Sequence, residues 1–238
     1  LLLVGLLVRY SPLPEINTEK SNKEETADGE TEKTGIFQFP YLILGALAIF
    51  FHVGSQIIAI DTIIGYAKTM GLNLLEAKTF SSYVLGATMC GYFIGVITIP
   101  RFINQRNALL TCTTLGLALS ICVVLFSGPV VVLGHHTDIS IWFLVALGLP
   151  NSLIFANIWP LAIKGLGRFT KLGSSIMVMG LCGNAVTPVI YGHLADRYDI
   201  RTAYLILIPC YLYLIFFAAY GYAIKNWGKV NQIKEQLQ

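Results

Sequence analysis

Residues 41–67 read YLILGALAIFFHVGSQIIAIDTIIGYA, an almost unbroken apolar run with one acidic residue and neither Lys nor Arg. At a rise of about 1.5 Å per residue, a helix of this length is about 40 Å long. The hydrocarbon core of a bilayer is about 30 Å thick. The stretch therefore predicts a membrane-spanning helix, and similar stretches recur through the rest of the chain.

Five further apolar runs of about 20 residues or more follow the first. Strands of a membrane β-barrel would be shorter and would alternate polar with apolar residues, which these runs do not. The sequence thus predicts an all-α membrane protein with a six-helix transmembrane bundle. The predicted spans cover residues 39–67, 80–99, 108–133, 139–163, 172–191 and 203–224.

The composition supports a chain that lies mostly within a lipid bilayer. Hydrophobic residues make up 55% of the chain and charged residues only 12%, whereas soluble proteins carry about 25% charge. Seven of the 13 acidic residues fall between Glu15 and Glu32, which leaves the apolar runs nearly free of charge. No basic tract indicates nucleic acid as a partner. The five cysteines lie in apolar runs without metal-ligand spacing, which is typical of small buried residues.

The chain divides into four predicted segments. Residues 1–10 are apolar and are interpreted as the end of a preceding transmembrane helix, so that the sequence is interpreted as incomplete at its N-terminus. Residues 11–37, rich in Glu and Lys, are predicted to form a flexible linker. The six-helix bundle is expected over 38–225, and 226–238 form a tail. A long linker ahead of six spans suggests two six-helix halves joined centrally, as in many secondary transporters.

The positions of Lys and Arg predict the orientation of the bundle. The linker, the loops around residues 101–106 and 164–171, and the tail fall on one side and carry most of the basic residues. That side is expected to be cytoplasmic. The protein is then a multi-pass protein of the cell (inner) membrane, with the linker and the C-terminus in the cytoplasm. An even number of spans between them is then required, in agreement with six.

Strongly polar side chains interrupt the first span at His52, Gln56 and Asp61. A charged group at the centre of a bilayer costs about 2.5–3.5 kcal/mol on insertion scales, so such residues usually face a bundle interior or a water-filled cavity. His52 and Gln56 are four residues apart and share a helical face. Gln56 is a candidate for lining a solute path. Asp61 lies about 140° further around the helix and near its outer end, so coupling or gating, a solvated position and a structural ion pair all remain open.

The fourth span contains two prolines, Pro150 and Pro160, each of which removes a backbone hydrogen-bond donor. Asn151 and Asn157 lie close to them. An amide both donates and accepts hydrogen bonds and so suits the hydroxyls of a neutral sugar, although it also satisfies a kinked backbone. Trp159 offers a ring for stacking on a sugar, or an anchor at the membrane interface.

The fifth span adds Asn184 at mid-depth, beside glycines and a proline, as a further candidate cavity residue. In the second span, Gly91 and Gly95 have the GxxxG spacing that favours close helix packing. The sixth span has aromatic residues but nothing ionisable, and is interpreted as a lipid-facing support.

Catalytic and metal-binding motifs do not appear in the sequence, so no enzyme, cofactor or metal is predicted. A cluster of His135, His136 and Asp138 falls in a predicted outer loop. A weak metal site is one interpretation of this cluster, and an ordinary solvated loop is the favoured one.

Two stretches of the chain resemble a known family. FHVGSQ at 51–56 and IWPLAIKGLGRFTKLGSSIMVMGLCGNAVTPVIYGHLAD at 158–196 are similar to the C-terminal half of the fucose permease branch of the major facilitator superfamily. The second stretch resembles the bacterial glucose/galactose and fucose symporters in particular. Asp61 departs from this pattern, in which an uncharged residue is expected.

The resemblance implies a twelve-helix transporter with alternating access that takes up a monosaccharide together with a proton, or in some relatives sodium. The expected partners are the sugar, the coupling cation, the lipid bilayer and an N-terminal six-helix half of the same polypeptide. The expected sugar-binding residues are Gln56, Asn151, Asn157, Asn184 and Trp159, with His52 and Asp61 as candidates for coupling or gating. An efflux transporter of drugs or other small solutes and a non-transporting sugar sensor are the alternatives.

Overall fold

The structure is a computed structural model that describes residues 35–99 and 103–224. The predictions for residues 1–10, for the linker up to residue 34 and for the tail at 226–238 lie outside the described residues. A single 3-10 turn at Ile36–Gln38, with Ile36 buried, precedes the first long helix.

Six segments of the described chain are long and apolar enough to cross a membrane, which confirms the predicted number of spans. The first four are single helices, and the fourth continues through Pro150 and Pro160 within the predicted bounds. They are α1 (Pro40–Thr69), α2 (Leu74–Thr98), α3 (Gln105–Leu125) and α4 (Ile139–Ile163).

The last two spans are interrupted helices. The fifth span, Gly167–Arg197, joins α5 (Thr170–Met179) to α6 (Gly183–Arg197) through a 3-10 turn at Gly180–Cys182. The sixth span, Ile200–Ala223, contains α7 (Ile200–Ala203) and α8 (Leu207–Ala219). Glycine has low helix propensity, which favours a break at residues 180–183.

The third span is shorter than predicted, because the sequence after Leu125 forms a β-hairpin. Strands β1 (Pro129–Val132) and β2 (His135–Asp138) pair antiparallel, although residues 126–133 were expected to be helical. Pro129 cannot continue a helix, and a run of β-branched valines favours a strand. Leu133 and Gly134 both have positive φ, 53° and 82°, as a two-residue type I′ turn requires.

The bundle is organised around α1, which contacts α2, α4, and the fifth and sixth spans. On the other side, α3 packs against α4 and the sixth span. Large apolar and aromatic side chains fill the space between the helices, and among the fully buried ones are Tyr204, Tyr211, Phe80, Phe217, Leu42 and Ile49.

Glycines bring the helices close together at several interfaces, as α2 and α6 illustrate. A Cβ added to Gly91 or Gly95 of α2 would collide with α4, at Ser152 and at Leu153, as expected for the GxxxG spacing. A Cβ at Gly183 of α6 would collide with the backbone carbonyl of Phe50 in α1. The polar residues of α1, α4 and α6 are therefore held on closely packed helices.

Candidate functional site

A buried hydrogen bond links the middle of α4 to the sixth span. The hydroxyl of Tyr211 donates to Asn151 Oδ1 over 2.7 Å, and both side chains are shielded from solvent. Asn151 is the central residue of α4, which runs from Ile139 to Ile163. The pair therefore lies near the expected mid-depth of the bilayer.

The same depth of the bundle is occupied by a polar stretch of α1. Ser55 approaches the Tyr211 hydroxyl, and its own hydroxyl donates to the backbone carbonyl of His52 over 2.8 Å. Ser55 is close to the midpoint of α1. Three spans thus contribute Ser55, Asn151 and Tyr211 to one buried polar cluster. His52, whose side chain is also buried, lies one turn before Ser55 on α1.

Two buried side chains at this depth of the bundle retain polar atoms without hydrogen-bond partners among the described residues. These are both ring nitrogens of His52 and the amide nitrogen Nδ2 of Asn151. Each unsatisfied buried group costs about 1–3 kcal/mol, and in native proteins it usually has a functional or solvent-related reason. The cluster is therefore the strongest candidate for a polar function inside the bundle.

Gln56 and Asp61 point to different sides of α1, as the helical spacing predicts. Gln56 is half-buried, one residue beyond Ser55, whereas Asp61 is exposed. Because α1 is continuous from Pro40 to Thr69, no break brings Asp61 back towards Gln56 or His52.

Asn157 and Trp159 occupy the following turns of α4. Asn157 is only 1% exposed, and its Nδ2 donates to the carbonyl of Leu153 over 2.8 Å, within its own helix. Trp159 is half-buried, with its ring 5.8 Å from that of Phe155. Asn157 therefore has a local partner for its amide nitrogen, and Asn151 has none among the described residues.

Asn184 differs from the other asparagines of the candidate set because its side chain is exposed on α6. It directly follows Gly183, whose α-carbon lies against the Phe50 carbonyl of α1. The structure thus buries both His52 and Asn151, leaves Gln56 half-buried, and directs Asn184 out of this bundle.

Comparison with known proteins identifies relatives over most of the chain. No family model matches the sequence. The glucose/galactose transporter of Brucella abortus (strain 9-941) is 32% identical over 202 residues, which cover 84% of this chain and 47% of that protein. The L-fucose-proton symporter of Escherichia coli K12 is 27% identical over 224 residues, or 92% of this chain and 48% of that protein.

The fold matches a solved structure as well. A crystal structure of the major facilitator superfamily transporter FucP in the outward conformation gives a TM-score of 0.75 at 23% identity, over 92% of this chain and 51% of that one. This chain has the fold of the major facilitator superfamily. The resemblance seen in the sequence and the six-helix fold class are confirmed.

The chain spans about half the length of the curated relatives it matches. This share agrees with the predicted C-terminal half of a major facilitator fold. One of the two relatives is named a transporter and the other a symporter, in keeping with the absence of a catalytic motif from the sequence. The chain is a multi-pass membrane protein.

Sequence reasoning missed the contribution of the sixth span to this major facilitator bundle. Tyr211 is fully buried, and its ring packs against Gly116 of α3, where an added Cβ would collide with it. The interpretation of this span as a lipid-facing support is thus wrong for its inner face. The missed signal is a tyrosine within an apolar run, since a buried tyrosine hydroxyl normally needs a partner.

The predicted outer loop with the two histidines is also more ordered than expected. His135 Nδ1 lies 2.6 Å from the Glu76 carboxylate of α2, and its Nε2 lies 3.2 Å from the Tyr83 hydroxyl. Asp138 caps α4 by accepting from the backbone nitrogen of Ser140. The favoured interpretation as an ordinary solvated loop is thus wrong for His135. Within the described residues, no group of three or more His, Cys, Asp or Glu side chains is arranged to hold a metal.

Proposed function

We propose that the chain is the C-terminal half of a secondary active transporter that takes up a monosaccharide of the glucose, galactose or fucose type by cation symport. The observation that carries this proposal is the 32% identity with a glucose/galactose transporter over 84% of the chain. The relative named L-fucose-proton symporter supports symport and points to a proton as the coupling cation. Alternating access between two halves accompanies this architecture.

The proposed sugar site uses the amides of α1, α4 and α6. Gln56, Asn151, Asn157 and Asn184 form one wall, with Trp159 stacking nearby. The central position of Asn151 in α4 supports this assignment, because transporter sites of this kind lie near the bilayer midplane between two halves. Amides bind neutral polyols without bringing a net charge into the membrane.

The exposed Asn184 and the half-buried Gln56 are the members best placed to meet a sugar from outside this bundle. Asn151 and Asn157 lie behind that surface, shielded from solvent. In the proposal, Asn184 and Gln56 make the first contacts with the sugar. The sugar reaches Asn151 and Asn157 as the helices rearrange. The remaining contacts come from the N-terminal six-helix half.

Coupling is assigned to a proton, with His52 and Asp61 as the candidate residues of this half for coupling or gating. His52 is fully buried without a partner for its ring among the described residues, and Asp61 is exposed. Sugar-induced alkalinisation of the medium by cells that make the full-length protein supports this assignment. Uptake that survives a proton uncoupler but requires sodium overturns it.

In the proposed orientation, the protein spans the cell (inner) membrane, and its linker and C-terminus face the cytoplasm. It rests on the excess of Lys and Arg on that side of the sequence. Cysteine labelling from outside the cell tests this orientation: a probe at His136 in the hairpin is expected to react, and one at residue 234 in the tail is not.

Uptake of labelled sugars by cells making the full-length protein tests the function. The account predicts saturable uptake of sugar, with competition among glucose, galactose and fucose. Cells carrying the empty vector are expected to show no such uptake. Lowered cellular content of a dye, with raised drug resistance, would instead identify an efflux transporter.

A further inference from the structure

The orientation of the Asn151 amide is set from the sixth span. Asn151 Oδ1 accepts the Tyr211 hydroxyl proton at 2.7 Å, so its amide plane is fixed with Nδ2 on the opposite edge. Tyr211 is itself held in place, since its ring fills the space that the missing side chain of Gly116 leaves on α3. The amide oxygen thus has a hydrogen-bond partner, while the amide nitrogen has none among the described residues.

The unpaired nitrogen of Asn151 distinguishes it from the other buried asparagine of α4. Asn157 is equally shielded, but its Nδ2 is satisfied by the carbonyl of Leu153. Asn151 Nδ2 has no such partner in the part of the chain that the structure describes. An amide nitrogen offers two N–H donors and accepts nothing, so only an atom with a free lone pair, such as an oxygen, can satisfy it.

We propose that Tyr211 is a positioning residue for transport, which orients the Asn151 amide so that its N–H donors recognise an acceptor oxygen of the monosaccharide. This inference rests on the proposed function and deepens it. The contact forms in a conformation that opens a path to the Asn151 amide nitrogen while the Tyr211 hydrogen bond is kept, because Asn151 is buried in the present one. The sugar oxygen recognised is a hydroxyl accepting through its lone pair, or the ring oxygen.

The test measures uptake kinetics of the full-length protein in proteoliposomes. Tyr211→Phe removes the hydroxyl and keeps the ring, and it is expected to raise KM about three- to tenfold, as for loss of one hydrogen bond, with a smaller change in kcat. Tyr213→Phe is the matched control. Tyr213 lies in the same span as Tyr211, and its hydroxyl donates to the Leu44 carbonyl of α1 over 3.1 Å. Removal of this hydroxyl is expected to leave KM unchanged.

A double-mutant cycle separates positioning from a merely structural role. If Tyr211 acts through Asn151, the pair of changes Tyr211→Phe and Asn151→Ala raises KM no more than Asn151→Ala alone. Additive effects, or equal KM values for Tyr211→Phe and Tyr213→Phe, overturn the inference. If wild-type protein transports no monosaccharide, the proposed function itself fails.

Sugar analogues provide a readout that does not require the Tyr211 variant. In wild type, removal of the recognised oxygen is expected to raise KM about three- to tenfold. Asn151→Ala is expected to abolish that difference between the parent sugar and its analogue. If Tyr211→Phe protein fails to reach the membrane, this comparison decides, and an unchanged difference in Asn151→Ala overturns the inference.

Discussion

The imidazole Nδ1 of His135 lies 2.6 Å from the Glu76 carboxylate, a contact that ties the hairpin between α3 and α4 to the first turn of α2. The His135 ring also lies 5.2 Å from the ring of Phe80. The His135 side chain thus anchors the hairpin to α2.

Removal of this anchor is expected to destabilise the protein modestly. His135→Ala should lower the free energy of unfolding by about 1 kcal/mol, because the pair is partly exposed and screened by water. Thermal unfolding in detergent measures the effect. His136→Ala, at the exposed neighbouring position, is the control, and equal losses for the two variants would contradict an anchoring role.

The contact between α6 and α1 leaves no room for a side chain at Gly183. Gly183→Ala should cost about 1–3 kcal/mol by overpacking, because the new Cβ meets the Phe50 backbone. Gly192→Ala is the matched control in the same helix, where a Cβ has no atom within 4 Å. Thermal unfolding of the two variants should separate clearly, and a Gly183→Ala protein as stable as Gly192→Ala would count against the packing.

The Arg201 guanidinium closes the last turn of α3. Its Nε and Nη2 donate to the carbonyls of Val123 and Val124 over 3.1 and 2.8 Å. A cation at a helix C-terminus that also satisfies free carbonyls contributes about 1–2 kcal/mol, so Arg201→Ala should lower the unfolding temperature. Arg197→Ala, at an exposed position, should have little effect. The reverse order of stabilities would refute the capping role.

His52 offers a way to separate stability from function. Because neither buried ring nitrogen has a partner among the described residues, His52→Phe should leave the unfolding temperature unchanged or raised. Sugar uptake should nevertheless fall if the imidazole takes part in coupling or gating. Tm and uptake are measured on the same preparation. Retained uptake with sugar-induced alkalinisation would remove His52 from the mechanism.

The architecture could be predicted well from the sequence, because a helix that crosses a bilayer requires a long apolar run. The bounds of α4 agree with the prediction, because the apolar run begins and ends where the helix does. Residues 126–133 were mispredicted because hydropathy cannot distinguish an apolar strand from the end of a span. Pro129 and the turn at Leu133 carried the missing signal.

The side-chain contacts between helices could not be predicted from the sequence. Helical spacing correctly separated Asp61 from Gln56. No local pattern, however, connects Tyr211 with Asn151, which are 60 residues apart, or His135 with Glu76, which are 59 apart. These partners meet only because tertiary packing fixes the rotation of each helix. The polar residues of the proposed site could thus be named from sequence, but not their orientations.

The most direct test of the account is flux of labelled monosaccharide into proteoliposomes that contain the full-length protein, with an imposed inward proton gradient. The account predicts saturable accumulation above the external concentration, competed by unlabelled sugar and abolished by a proton uncoupler. Sugar binding without any flux would contradict it and identify a sensor. Absence of both binding and flux for glucose, galactose and fucose would contradict the assignment to sugar transport.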